Sequence, residues 1–224
     1  MIPPTSIDGT DITGATIDGT DVQEITVDGD VVFTAVQRLP HFDDFDTNTL
    51  SDYEIYDGTS IDDSDFSIAS SELQQAGNND FYFIGYDVSS ESIGSFFLEY
   101  EISRYDDNDL IGGGFVIDTN TLVAFEFSQQ RNQIEMGEIN FPSPQYFLIN
   151  ENPNNLKIVN TNVSFSEPFT QRMEYDGSSI DVFHNGVFQT SNSVVSTGSI
   201  SLIGFISSFM APGVHWDSIE IGTL

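Results

Sequence analysis

The side chains of this sequence that could do chemistry are carboxylates and amides, and they come in short runs. Glu99-Tyr100-Glu101 and Glu135-Met136-Gly137-Glu138 each set two carboxylates close together, as glycosidic cleavage needs for a nucleophile and an acid/base. Tyr105-Asp106-Asp107-Asn108, Gln129-Gln130-Arg131-Asn132 and Asn150-Glu151-Asn152-Pro153-Asn154-Asn155 mix amides, carboxylates and an aromatic ring. Sugar hydroxyls and a pyranose face want that mixture. Tyr105, Asp107, Asn108, Arg131, Asn152 and Asn154 are therefore candidate glycan-binding residues. Asp62-Asp63-Ser64-Asp65 and Asp106-Asp107-Asn108-Asp109 offer hard oxygen ligands for calcium, without EF-hand spacing. With 36 acidic residues in the chain, such runs also arise from composition alone. The plain reading of each is a solvated acidic loop.

Other chemistries are poorly supplied. There is no cysteine, which excludes disulfides and thiolate metal sites. His41, His184 and His215 are scattered without zinc-ligand spacing, and no Ser/His/Asp arrangement can be argued from them. Lys157 is the single lysine, and the 5 basic residues are too few to track a phosphate backbone. A nucleic-acid partner is not expected.

The 36 acids against 5 basic residues give a formal charge of −31. Such a chain repels itself in dilute buffer, and molar salt screens the repulsion by cutting the Debye length to about 3 Å. Disorder is the ordinary reading of an acidic chain, but 38% hydrophobic residues, 19 Phe and 8 Tyr argue for a core. The combination points to a folded protein from an extreme halophile or its virus. No run approaches ~18 apolar residues, so membrane insertion by a helix is not expected. Met1–Asp11 lacks the basic and apolar regions of a secretion signal. The expected location is the virion, assembled in the host cytoplasm.

The elements that must position these groups are strands. Ile7-Asp8-Gly9, Ile17-Asp18-Gly19 and Val27-Asp28-Gly29 recur every ten residues, and Asp-Gly is a strong tight-turn signal. Residues 1–33 read as a β-repeat arm for attachment and oligomerisation. Its short strands need partners to bury Ile7, Ile17, Val27, Val31 and Phe33. Residues 34–41 read as a linker. From residue 42 onward, Phe-, Tyr-, Val- and Ile-rich runs alternate with Asp, Asn, Gly and Ser clusters. Candidate strands include Tyr53–Tyr56, Phe81–Tyr86, Ser95–Ser103, Gly114–Ile117, Gln133–Met136, Tyr146–Asn150 and Leu156–Asn162. Around Asp176-Gly177 and Asn185-Gly186 a three-strand meander is expected, with Met173, Tyr175, Ile180, Val182 and Phe188 facing a core. Many strands and no helical stripe predict an all-β fold, an antiparallel two-sheet sandwich preceded by the small arm.

Three stretches carry a resemblance. They are the opening Phe42-Asp43-Asp44-Phe45 to Tyr53, the run from Arg172 through Tyr175-Asp176-Gly177 to Asn185-Gly186, and the closing Ile203-Gly204-Phe205 with Val214-His215-Trp216-Asp217. Residues 42–224 thereby resemble the concanavalin A-like (laminin-G-like) lectin and glucanase superfamily. The resemblance implies a jelly roll whose last strand pairs beside the first, with Trp216 packed inside. It also implies structural Ca²⁺ in some members, for which Asp43, Asp44, Asp46 and Asp217 are the candidate ligands. The glucanase branch has an E-x-D-x-(x)-E strand, and both acidic runs here lack the central Asp. No enzyme activity is expected.

These observations converge on one expectation. The chain is a structural protein of a haloarchaeal virus particle, of tail-fibre, baseplate or spike type, displaying a lectin-like domain to a host-surface glycan or glycoprotein. The arm would dock to other virion proteins, within a homotrimer. A capsid decoration or turret subunit of purely structural role is the first alternative. A cellular polysaccharide-binding module or inactive glycosidase is the second.

Overall fold

Short β-branched runs flanking Asp-Gly pairs form hairpins at the start of the computed structural model. β1 (Ser6–Ile7) pairs with β2 (Thr10–Asp11), β3 (Thr16–Ile17) with β4 (Thr20–Asp21), and β5 (Glu24–Val27) with β6 (Asp30–Thr34). Each is a separate two-stranded sheet, repeating at the ten-residue interval. Besides these strands, the structure describes residues 39–57, 60–61, 65–75, 81–104, 110–128, 131–142, 153–161, 163, 167–208 and 214–224. The side chains of Ile7, Ile17, Val27, Val31 and Phe33 lie outside the described residues. The chain divides into two units, Met1–Leu39 and Pro40–Leu224.

In the second unit, alternating sequences give antiparallel strands. They are β7 (His41–Asp43), β8 (Tyr53–Asp57), β9 (Ser60–Ile61), β10 (Phe66–Ala69), β11 (Glu72–Gln75), β12 (Phe81–Asp87), β13 (Phe96–Arg104) and β14 (Leu110–Ile117). There follow β15 (Thr121–Ser128), β16 (Gln133–Asn140), β17 (Asn154–Asn160), β18 (Phe169–Tyr175), β19 (Ser179–His184), β20 (Val187–Ser193), β21 (Ile200–Ser208) and β22 (His215–Thr223). Sheet A runs β10-β11-β22-β13-β18-β19-β20, with β7 also on β22; sheet B runs β17-β16-β15-β14-β21-β12-β8-β9. The result is the expected jelly-roll sandwich of two antiparallel sheets.

Period-2 alternation supplies the core. Phe96, Leu98, Tyr100 and Ile102 of β13 are buried on one side, while Phe97, Glu99 and Glu101 face outward. Their inward rings meet those of sheet B: Phe96 lies 5.3 Å from Phe115, and Tyr100 lies 5.9 Å from Phe205. Trp216 is fully buried, 4.9 Å from Phe205, as expected. β7 does pair with β22, so first and last strands of the sandwich are neighbours.

Several sequence expectations are corrected. His41 belongs to β7, and Thr34 ends β6. β14 begins at Leu110 because Gly112-Gly113-Gly114, poor strand formers on paper, allow neighbouring backbone to approach closely. β16 extends to Asn140, and β17 begins at Asn154. Polar β11 gave no apolar signal. Residues 146–150 lie outside the described residues. Phe188 is 53% exposed, and a register shift after Val182 explains it. Val182 pairs with Thr190, but Phe183 pairs with Phe188, so the bulge turns Phe188 outward beside Phe183. The tight turn itself is as expected: Asn185 (φ 49°) and Gly186 (φ 71°) both adopt positive φ between His184 and Val187.

Candidate functional site

Alternation along sheet B puts one set of side chains into the sandwich and the other on the outer face. Cross-strand registers align the outer set: Glu54 opposite Gly85, then Gly204, Gly114, Ala124 and Gly137. A row of small residues lets the strands crowd and the sheet bend. At Gly204 a β-carbon would stand 1.9 Å from the Ile84 carbonyl oxygen, so only glycine fits that approach. The bend is read from Phe141. Its N–H donates to the Asn120 carbonyl oxygen (2.8 Å), between β14 and β15. Its ring lies 4.7 Å from Tyr56 on β8 and 5.5 Å from Phe83 on β12. β15 and β8 are four strands apart, about 19 Å if flat. Two aromatic side chains close that distance only if the sheet curls toward this face. The outer face is concave, and Phe141 covers Phe83, Leu122, Ala124, Leu202 and Ile206 in a second small core.

Beside this cover lies a cavity of about 220 Å³. Glu54, Tyr56, Asp87, Ser201 and Leu202 line it from the sheet, Phe141 and Pro142 from the cover, and Ser89 and Thr119 from the connecting turns. The Tyr56 hydroxyl donates to Glu54 Oε2 at 2.6 Å. Burial, then the bond to Glu54 and the charges of Glu54 and Asp87, raise the Tyr56 pKa well above its ordinary value. The Ser89 N–H donates to Asp87 Oδ1 at 2.8 Å. Two carboxylates, two aromatic faces and three hydroxyls thus converge on one small space. None of these residues was singled out from the sequence. The alternation Tyr53-Glu54-Ile55-Tyr56 already set Glu54 and Tyr56 on one face of β8, but the concavity of that face is a property of the whole sheet.

The acidic runs resolve differently. Glu135 faces the concave side directly opposite Glu126 of β15. Both are buried, at 2% and 1% exposure, and Arg131 Nη1 donates to Glu135 Oε1 at 3.1 Å. Glu138 is three residues on and points to the other face. Its carboxylate accepts the N–H groups of Val195 (2.6 Å) and Ser196 (3.0 Å) and the Ser196 hydroxyl. Glu135 and Glu138 therefore do not form a pair around one substrate bond. Glu99 and Glu101 lie on the outer face of sheet A, where Glu99 pairs with Arg172 at 3.6 Å.

The remaining candidate residues scatter. Asp43 is buried, and its carboxylate accepts the Phe45 N–H (2.8 Å), the Tyr53 hydroxyl (3.0 Å) and the Thr49 hydroxyl. His41 adds a bond to the Tyr53 oxygen at 2.9 Å and stacks on Tyr86; burial lowers its pKa. This network ties β7 of sheet A to β8 and β12 of sheet B, and Tyr53 supplies the hydroxyl at its centre. Asp44 accepts the Asp46 N–H at 3.2 Å. Asp43, Asp44, Asp46 and Asp217 do not converge: among the described residues no three His, Cys, Asp or Glu side chains gather around a metal-sized space. Asn154 is exposed on β17. Tyr105, Asp107, Asn108 and Asn152 lie outside the described residues.

No protein-family model matches the chain, and no curated protein matches it. Solved structures do. A Bacillus subtilis protein of unknown function with a galectin-like fold superposes with a TM-score of 0.57 at 7% identity, covering 82% of this chain and 94% of that one. The Bacillus licheniformis β-glucanase gives 0.55 at 12% identity, with 83% and 98% covered. The carbohydrate recognition domain of Emp47p gives 0.54 at 12% identity, with 81% and 93% covered. These are galectin-like and β-glucanase jelly rolls, the folds of the concanavalin A-like superfamily. At such identities the likeness concerns the fold alone.

Proposed function

We propose that the Pro40–Leu224 unit is a non-catalytic, lectin-like module that binds a saccharide unit in the concave-face cavity. The observation that carries this reading is the convergence of Glu54, Asp87, Tyr56, Phe141 and three hydroxyl residues around about 220 Å³. Carboxylates accept from sugar hydroxyls, and the rings offer a face for apolar C–H groups. The volume falls below the range usual for drug-sized ligands and suits one sugar ring. A binding role is favoured over cleavage because Glu126 and Glu135 are buried and Arg131 holds Glu135. The fold neighbours include both a carbohydrate recognition domain and a glucanase. Titration of full-length protein with a glycan panel in molar KCl, alongside a hydrolysis assay, tests it. Saturable binding without turnover, weakened at least tenfold by Tyr56→Ala, is expected. Turnover, or binding indifferent to Tyr56, refutes it.

In its fuller form, the protein is an adhesin of a haloarchaeal virus particle, held by its N-terminal hairpins in a homotrimer with other virion proteins. Two-stranded hairpins of two to five residues per strand are marginal alone, which supports completion by neighbouring chains. Several identical heads would convert weak contacts into avidity of about 10²–10⁴. Light scattering in molar KCl should give a trimer, and removal of residues 1–33 should give a monomer. A monomeric full-length chain refutes the assembly. Cohesion without receptor contact, as in a capsid decoration or turret, predicts an oligomer that no glycan engages. A polysaccharide-binding module predicts a monomer that one does.

A further inference from the structure

The outer positions of a sandwich strand are ordinarily polar, but the outer face of sheet A carries a line of large rings. Cross-strand registers set Phe42 of β7, Glu220 of β22, Glu99 of β13, Arg172 of β18, Phe183 of β19 and Phe188 of β20 side by side in one outward row. Both ends of the row are open to solvent, Phe42 at 62% exposure and Phe188 at 53%. Phe183 lies 5.7 Å from Phe188, and the Arg172 guanidinium lies 3.9 Å over the ring of Phe97 in the next row. The row is symmetric in kind. A phenylalanine stands at each end, and Glu99 and Arg172, paired at 3.6 Å, flank the midpoint.

We propose that this face pairs with the same face of a second copy of the chain, about a two-fold axis that runs parallel to the strands through the midpoint of the row. That axis lays Phe42 over the second copy's Phe188, Glu99 over its Arg172 and Glu220 over its Phe183, each contact being made twice. In the flanking rows Glu101 meets Thr170, Glu174 meets Phe97 and Asp181 meets Gly222. No carboxylate named here meets another. An axis along the row would instead set Glu99 and Glu220 each against its own copy, so charge selects the first arrangement. Six strands and three residue rows span about 24 Å by 20 Å. Pairing then buries roughly 1,000 Å² in total, which belongs to the transient class of interface. Single heads stay apart at high dilution and pair where several are held together. The charge of −31 opposes the approach in dilute buffer, and about 1 M salt cuts that field to roughly 3 Å, so pairing tightens as salt rises.

The test is sedimentation equilibrium of the full chain in molar KCl, from about 10 μM to about 1 mM. The average mass should climb with concentration above the state that the N-terminal hairpins set at the dilute end, with its midpoint at roughly 0.1 mM. Phe42→Ser and Phe188→Ser alter exposed side chains and spare the core. Each should weaken the association roughly tenfold, and the double substitution hardly more than either alone. Such coupling between side chains about 24 Å apart in one copy requires that they touch across the axis. Glu99→Arg and Arg172→Glu should each associate less tightly alone and recover in an equal mixture, where opposite charges face again. A mass that stays flat to about 1 mM overturns the inference and leaves the face to a different partner. Single substitutions without effect, additive losses at Phe42 and Phe188, or no recovery in the mixture of folded variants overturn it as well. The glycan reading stands under all of these outcomes, because its cavity lies on sheet B.

Discussion

Glu138 offers the sharpest test of how the sheets are held. Its carboxylate receives the N–H groups of Val195 and Ser196 and the Ser196 hydroxyl, pinning the link between β20 and β21 onto β16. Hydrogen bonds to a charged acceptor are worth about 1.5–3 kcal/mol each. Their simple sum overstates the loss, because burying the carboxylate is itself costly and exposed Val195 lets water replace part of what is removed. Glu138→Ala should therefore cost about 3 kcal/mol. Glu138→Gln keeps one acceptor oxygen without its charge and should cost about 1–2 kcal/mol. Ser196→Ala should cost about 1 kcal/mol, and most of that cost should vanish in the Glu138→Ala background. The assay is urea unfolding of the full chain in molar KCl, followed by Trp216 fluorescence. Trp216 is the single tryptophan and is fully buried in the sandwich. At about 3 kcal/mol per molar urea, the alanine variant should unfold near 1 M lower. A shift below about 0.5 kcal/mol, or additive costs for the pair, refutes the strut.

Raising KCl from about 0.1 to 1 M shortens the Debye length from about 10 to 3 Å and should raise the urea midpoint; a flat or falling midpoint contradicts the self-repulsion argument. Asp176 accepts the N–H groups of Ser179 and Ser178, which hold its pKa below the ordinary value of 3.8. A depressed folded pKa stabilises the protein above the unfolded value, and the contribution is lost as pH falls through the folded one. The cost of Asp176→Ala should therefore be full at neutral pH and fade in acid below 3.8, and an Asp176 carboxyl titration by NMR at or above 3.8 would refute this. Gly204→Ala, which drives a methyl to 1.9 Å from the Ile84 oxygen, should cost about 3 kcal/mol or more. Gly186→Ala, at φ 71° in open space, should cost about 1 kcal/mol; equal losses in the two urea curves would show that the glycine row does not carry the bend.

Much of the fold was legible in order along the chain. Alternation in Phe96–Arg104 and Phe169–Tyr175 told strand from helix and inside from outside, because the β period of two is a local property. Asn185-Gly186 announced its turn, because few residues tolerate two successive positive φ angles. Illegible stretches were those where neighbours decide. Gly112-Gly113-Gly114 lack side chains to favour a strand and become one because Ala124 and Gly204 flank Gly114 on both sides. Phe188 had the right parity for the core until a bulge changed the register.

The candidate site shows the same division. Composition and patterning alone determined an acidic all-β sandwich with a repeat-built N-terminal arm, since charge, apolar content and period two need no knowledge of contacts. Tertiary structure decided where a ligand could sit. Glu54, Asp87, Phe141 and Ser201 are far apart in the chain and meet only because glycines let sheet B curl. It also decided which acids the fold uses for itself: Asp43 and Glu138 were ordinary carboxylates on paper, and folding commits both to backbone N–H and hydroxyl donors. Curvature and hydrogen-bond allegiance are sums over strands distant in sequence, so no local window contains them.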